Sequence, residues 1–349
     1  MKREVRREDG ETERGGEGAM GRGGDPASEG ARLLRQQTSR LNPADKVAIA
    51  YLIIITLLIL FFGYRIPLWW ELCAGHATLV ALIALIARVL PFSPSPPLPL
   101  SPSPLLPFSP SPRRHVALTL RGWYPVLLIP ITYKELSYLI PLIHPHDFDA
   151  TLAGIDQRLF GVHPTVWLER FTLPPLTEVL QLTYSSYYFL PLVLGVVLWR
   201  KGWFEKFDFW VFIVVLGFYV SYLGYIAVPA IGPRFLPSIL QAQTLPLTGV
   251  WLFHPVREML DRAEGVTRDC FPSGHTELTL LVLYYARKFH RTVFWWLLPL
   301  GTGVIVSTVY LRYHYVIDVV AGALVAGAIV IIARPLYRAL GGNKARESQ

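Results

Sequence analysis

Residues 48–62 read AIAYLIIITLLILFF and residues 316–333 read VIDVVAGALVAGAIVIIA, the first without a charge and the second with Asp318 alone. Neither run alternates with the period of 2 or 3.6 that half-buries an element on a soluble surface. A bilayer core is about 30 Å thick and takes about 20 apolar residues per helix. Outward from these two stretches the same pattern recurs, and it predicts about eight spans near 45–63, 69–90, 122–143, 177–199, 207–229, 274–290, 292–311 and 315–335. The chain of 349 residues is 52% hydrophobic and 17% charged, with a mean hydropathy of +0.38. The expected class is all-α, a polytopic transmembrane helical bundle.

The net charge of +8 could suggest nucleic acid, but the basic residues cluster at the ends of the spans and no nucleic-acid role is expected. Lys2, Arg3, Arg6, Arg7, Arg32, Arg35 and Lys46 precede the first span. Arg88, Arg113, Arg114 and Arg121 follow the second; Arg200, Lys201 and Lys206 the fourth; Arg287, Lys288 and Arg291 the sixth; Arg334, Arg338, Lys344 and Arg346 the eighth. With eight spans all five clusters fall on one side. The positive-inside rule then places both termini in the cytoplasm, in a membrane such as the bacterial inner membrane.

Composition divides the chain further. Residues 1–44, rich in Gly, Arg and Glu, are expected to be a disordered cytoplasmic tail, and 45–90 two transmembrane helices. Residues 91–113 contain PFSPSP twice and form a Pro/Ser-rich, extended linker. Residues 114–336 hold the remaining six spans as one expected domain, and 337–349 are a cytoplasmic tail. On the opposite side, 144–176 suits a short interfacial helix, and 230–273 could roof a site at the membrane surface. Cys73 and Cys270 are the two cysteines. Neither has metal-ligand company in the sequence, so no zinc, redox or other cofactor chemistry is expected.

Three segments carry chemistry. Cys270-Phe271-Pro272-Ser273-Gly274-His275-Thr276 opens the sixth span. Ser273 suits an N-cap, and the unpaired N–H groups that follow make an anion site beside a histidine able to protonate a leaving oxygen. The same pattern also fits a capped helix with an ordinary histidine. In Ser307 to Asp318, His314 and Asp318 are four apart and would share a helix face. A carboxylate on one ring nitrogen leaves the other free to attack phosphorus, and Arg312 adds a planar cation for phosphate. A buried pair that only locks helices is the alternative. Tyr225 to Phe235 ends the fifth span with Pro229, Gly232, Pro233 and Arg234, an arginine that could bind phosphate or simply snorkel. Glu277 either faces the site or makes a supporting hydrogen bond. Lys134 and Glu135, being adjacent, need separate partners. Tyr184, Tyr187 and Tyr188 fit either a headgroup pocket or packing.

Pro272-Ser273-Gly274-His275 and Tyr310 to Asp318 resemble the second and third motifs of the type-2 phosphatidic acid phosphatase superfamily, with Pro229 to Phe235 as the first. The resemblance covers roughly 175–335 and is similar to the branch of inositol phosphorylceramide synthases, which 122–175 loosely resemble too. It implies a six-helix phosphatase-like core in which His314 is a nucleophile forming a phosphohistidine, oriented by Asp318, with His275 as the acid. It further implies that Ser273, Gly274 and Arg234 hold phosphate, without a metal. The chain departs from the pattern at Ala227, where a lysine is usual, at Thr308, where an arginine is usual, and at Arg312, where a small residue is usual. The expectation is that Arg312 replaces the missing charge.

The expected function is therefore hydrolysis or transfer of a lipid phosphate ester at the periplasmic or lumenal face. Transfer would place a phospho-headgroup on a lipid hydroxyl such as that of ceramide or diacylglycerol. A lipid transporter would call for paired, interrupted helices in a repeat, which the sequence lacks. A serine protease would want Ser273 in a water-filled cavity rather than at a helix cap. The sequence names no protein partner.

Overall fold

The structure is a computed structural model describing residues 41–90, 112–264 and 268–342. Of the expected tail over 1–44, linker over 91–113 and tail over 337–349, residues 1–40, 91–111 and 343–349 lie outside these residues, while 43–44, 112–113 and 337–339 belong to helices. All the secondary structure described is helical.

Helix α1 spans Pro43–Phe61. Proline at its first turn and a reciprocal cap between Asn42 and Asp45, at 2.9 and 2.7 Å, fix its start two residues before the expected span. It is followed by α2 (Trp69–Val89), α3 (Pro112–Trp123) and α4 (Pro125–Ile143). Between α4 and the next spans lie α5 (Asp149–Phe160) and α6 (Pro164–Trp167), the short helices expected in 144–176. Helices α7 (Pro174–Ser185) and α8 (Leu190–Arg200) form one apolar rod joined by a 3₁₀ turn. Helix α9 (Phe204–Ala227) is apolar all round and the most buried of the spans, as such a helix must be. Helices α10 (Pro237–Ala242) and α11 (Phe253–Glu264) lie in the expected roof, and α12 (Gly274–Phe289), α13 (Arg291–Tyr310) and α14 (Val316–Ala339) complete the bundle.

The chain is an integral membrane protein with seven helical segments long and apolar enough to cross a bilayer. The eighth expected span is α12. Its 16 residues rise about 24 Å at 1.5 Å each, short of a hydrocarbon core. The physical reason is its position: α12 packs against α9, α13 and α14 and is buried along most of its length. A helix enclosed by protein does not have to match the lipid, and the irregular backbone before it is tolerated for the same reason.

Polar groups inside the bundle tie the first two helices to the rest. Arg121 of α3 donates to Asp45 of α1, as does Tyr124. His76 of α2 lies 2.9 Å from Glu135 of α4 and 2.8 Å from Thr56 of α1. Glu135 thus has the separate bundle-interior partner its sequence position calls for. Tyr51 of α1 stacks on Tyr219 of α9, with ring centres 4.1 Å apart. At the same end as Asp45, Lys46 donates to the Leu340 carbonyl at 2.7 Å, so the described N- and C-terminal helices meet there.

Candidate active site

The two histidine segments converge where α12 and α14 begin. Ser273 caps α12, its hydroxyl accepting the Thr276 N–H at 3.3 Å, and its own N–H donates to the Asp318 carbonyl at 3.0 Å. The helices cross so tightly that a Cβ on Gly322 would come within 2.4 Å of the Ser273 carbonyl, and one on Gly274 within 2.3 Å of the Tyr225 hydroxyl. Glycine is what permits this approach.

His314 and Asp318 meet, though not on one helix face. His314 lies in the turn before α14, its N–H bonded to the Thr308 carbonyl at 2.9 Å. Asp318 is in the first turn, where Oδ2 accepts the Tyr315 N–H at 2.8 Å. His314 Nδ1 is 3.5 Å from that oxygen but 2.8 Å from the Cys270 carbonyl. A carbonyl only accepts, so Nδ1 carries the proton and Nε2 presents the lone pair. The tautomer is thus set first by a backbone oxygen and secondarily by the expected carboxylate.

His275 is clamped between Tyr184 and Tyr187, at 4.4 and 4.2 Å between ring centres. Its ring centre stands 5.6 Å from that of His314, and its buried Nε2 has no hydrogen-bond partner among the described residues. Tyr184 stacks in turn on Tyr313 at 4.3 Å. Over Tyr313 lie the guanidinium groups of Arg234 at 4.5 Å and Arg257 at 5.7 Å. Two of the tyrosines noted in the sequence therefore hold the acid candidate in place.

Arg234 is delivered by Gly232, whose φ of +95° belongs to glycine and whose absent Cβ would lie 2.5 Å from the Tyr313 carbonyl. Its guanidinium pairs with Asp261 at 2.7 Å. Arg312 differs from expectation. Its side chain is buried among Gln243, Glu169 and the Leu245 carbonyl at 2.8, 3.0 and 2.7 Å, because its left-handed backbone, φ +66°, turns it into the roof. Burial draws its pKa down. Both terminal nitrogens are thus engaged by protein, which does not fit the expected role as a free replacement charge. Arg257 of α11, which sequence reasoning did not single out, has no acidic partner among the described residues. Glu277 is buried and accepts from Ser221, the supporting alternative.

Sequence reasoning also missed the acids that build the roof. Asp149 accepts the N–H groups of Ile231 and Gly232 at 2.9 and 2.8 Å and the Tyr315 hydroxyl at 2.9 Å. Asp156 accepts those of Val316 and Ile317 at 2.7 and 2.9 Å, at the unpaired start of α14. Glu178 collects the N–H groups of 250–253 at the start of α11, the closest from Leu252 at 2.6 Å. Cys270 needs a correction. Its thiol lies 2.9 Å from Asp318 Oδ2 and 3.5 Å from His314 Nδ1, so it does have metal-ligand company, 44 and 48 residues away. Burial, then the neighbouring Asp318, pushes the thiol's pKa up, so the sulfur donates.

A cavity of about 270 Å³ opens beside His275 between α4, α8 and α9. Its walls are aromatic and aliphatic except at one end, where His275 and Asp269 face it. Tyr133 donates to Asp269 at 2.5 Å, and burial raises that carboxyl's pKa. Along α9 the lining runs from Phe207 to Tyr225, about 27 Å at 1.5 Å per residue.

A family model described as PAP2 superfamily matches residues 150–332, just over half of the 349 residues. The chain belongs to the PAP2 superfamily. PAP2 superfamily members are phosphatases or phosphotransferases, and both histidine segments lie within the matched region. A PA-phosphatase related-family protein of Dictyostelium discoideum is 24% identical over 163 residues, 42% of this PAP2 chain and 30% of that protein. The chain therefore spans under a third of that relative's length. No solved structure matches.

Proposed function

We propose that the chain cleaves or transfers lipid phosphate esters through a phosphohistidine on His314. The observation that carries this reading is the His314 ring, held by the Cys270 carbonyl at 2.8 Å, its centre 5.6 Å from that of His275, whose Nε2 has no hydrogen-bond partner among the described residues. Nε2 attacks phosphorus, the bond from phosphorus to the lipid oxygen breaks, and His275 gives that oxygen its proton. In the second half-reaction His275 takes a proton from water, whose oxygen displaces Nε2 and releases phosphate. Asp318 steadies the imidazolium that forms. Ser273 and Gly274 at the α12 start and Arg234 beside Tyr313 hold phosphate oxygens, joined by Arg257, while Arg312 positions the roof. The catalytic domain is taken as 114–336, with its site on the periplasmic or lumenal side and both termini cytoplasmic.

The apolar cavity favours a lipid ester over a soluble one, and one feature of it supports a second reading. Asp269 and Tyr133 sit beside His275 where a lipid hydroxyl entering the cavity would find an acceptor. Such a hydroxyl could replace water, as in inositol phosphorylceramide synthase-like transfer. The test is detergent-purified protein incubated with phosphatidic acid, with and without ceramide or diacylglycerol. Free phosphate and an acid-labile, alkali-stable phosphoryl label, both lost in His314→Ala, are the expected result. Label retained in His314→Ala would overturn the nucleophile. A new phospholipid with little free phosphate would select transfer.

A further inference from the structure

The geometry points to Cys270, His314 and Asp318 as a binding site for a thiophilic divalent cation such as Zn²⁺, one whose occupancy turns phosphoryl transfer off. The second half of that statement rests on His314 being the nucleophile; the first does not.

Sγ, Nδ1 and the carboxylate oxygen all lie within 4.8 Å of one another, with separations of 2.9 Å for Sγ–Oδ2, 3.5 Å for Sγ–Nδ1 and 3.5 Å for Nδ1–Oδ2. Bonds of about 2.3 Å to sulfur and about 2.0–2.2 Å to nitrogen and oxygen, at tetrahedral angles, require edges of roughly 3.4–3.6 Å. Two edges already have that length, and the third opens by under about 1 Å as the thiol proton leaves. The donors are buried, at 2%, 4% and 0% exposure, and their backbones are fixed by hydrogen bonds from Cys270 N–H to Ala230, His314 N–H to Thr308 and Ser273 N–H to the Asp318 carbonyl. A second observation points the same way. Asp318 Oδ2 already accepts from Cys270 and Tyr315, but its other oxygen, Oδ1, is buried with no hydrogen-bond partner among the described residues, so the carboxylate has coordinating capacity left unused. A thiolate in the set selects against Mg²⁺ and Ca²⁺, which prefer oxygen.

The protons account for the switch. On binding, the Cys270 thiol proton passes to solvent. Nδ1 must first give up the proton it donates to the Cys270 carbonyl at 2.8 Å; the metal then takes the freed lone pair, and the ring's single proton resides on Nε2. That tautomer has no lone pair at the atom that attacks phosphorus, and Asp318 is withdrawn to the metal.

The test uses the full chain in detergent, stripped with chelator, as wild type, Cys270→Ser and Cys73→Ser. Zn²⁺ binding is followed by calorimetry, and Co²⁺ binding by the thiolate-to-metal charge-transfer absorption. One site with that absorption is expected in wild type and Cys73→Ser. In Cys270→Ser the absorption should vanish and Zn²⁺ affinity drop by more than about tenfold, the scale at which changes around a metal register. X-ray absorption on Zn²⁺-loaded wild type should show one sulfur ligand, which keeps the idea testable if the serine variant misfolds. Hydrolysis of p-nitrophenyl phosphate should decline with occupancy and recover on chelation. Absence of the sulfur ligand, or unchanged affinity in Cys270→Ser, overturns the site. A thiolate-bound metal that leaves turnover intact would overturn the switch and the nucleophile assignment while the site stands.

Discussion

Asp149 shows how much one carboxylate can organise. It binds two backbone N–H groups of the Gly232 turn and the hydroxyl of Tyr315, the residue after His314, and so joins the first motif to the third. Asp149→Ala would strand buried donors at about 1–3 kcal/mol each. The expected outcome is a loss of at least about 3 kcal/mol, read as a lower apparent Tm in detergent with a parallel loss of turnover. Gly232→Ala addresses the same turn from its backbone, since its Cβ would meet the Tyr313 carbonyl at 2.5 Å. Turnover should fall well below wild type while the helical circular dichroism is kept; full activity would show that the turn does not set the site. At this scale the meeting of the histidines, Asp318 and Ser273 was legible because they lie in two short segments. The contacts of Asp149, Asp156 and Cys270 were not, because their partners are 82, 160 and 44 residues away. The surroundings of Arg312 were not legible for a related reason: the sequence shows its charge but not its positive φ or its contact with Glu169.

Among elements, α11 has its start held by one side chain. An N-terminus carries unpaired N–H groups and a partial positive charge, and Glu178 of α7 answers both for residues 250–253. The wall is close, since a Cβ on Gly249 would lie 2.4 Å from the Glu178 carboxylate. Glu178→Gln keeps the shape but weakens these bonds. Hydrogen exchange across 250–260 should accelerate, and KM should rise more than kcat falls if Arg257, carried by α11, contacts substrate. Unchanged exchange would show that α11 is held by its apolar face alone. The roof was legible only as a region: 144–176 and 230–273 advertise mixed acids and aromatics, but not which acid meets which helix start. Helix α12 was read as a span because its composition is apolar, whereas its length reflects enclosure by α9, α13 and α14.

For the whole molecule, the long cavity along α9 ties membrane to chemistry. Val214, midway along it, replaced by Trp should obstruct a lipid tail without reaching His275. The expected result is a several-fold drop in turnover of a long-chain phosphatidic acid beside little change for p-nitrophenyl phosphate. Equal losses on both would disconnect the cavity from lipid selection. The bundle as a class was plain in the sequence, since hydropathy reports what lipid demands of every span. The cavity was not, because it is a gap between helices that are each unremarkable alone.

The pair of tyrosines around His275 has one more consequence. A ring packed between two others keeps its height along the bundle, so under the proposed function a lipid's ester oxygen has to rise or sink to meet it. That oxygen's depth belongs to the bilayer, and bilayers differ in thickness by several ångströms between compartments. Hydrocarbon thickness then becomes a kinetic variable: the same protein, reconstituted in lipids of graded chain length, should work fastest where headgroup plane and histidine coincide.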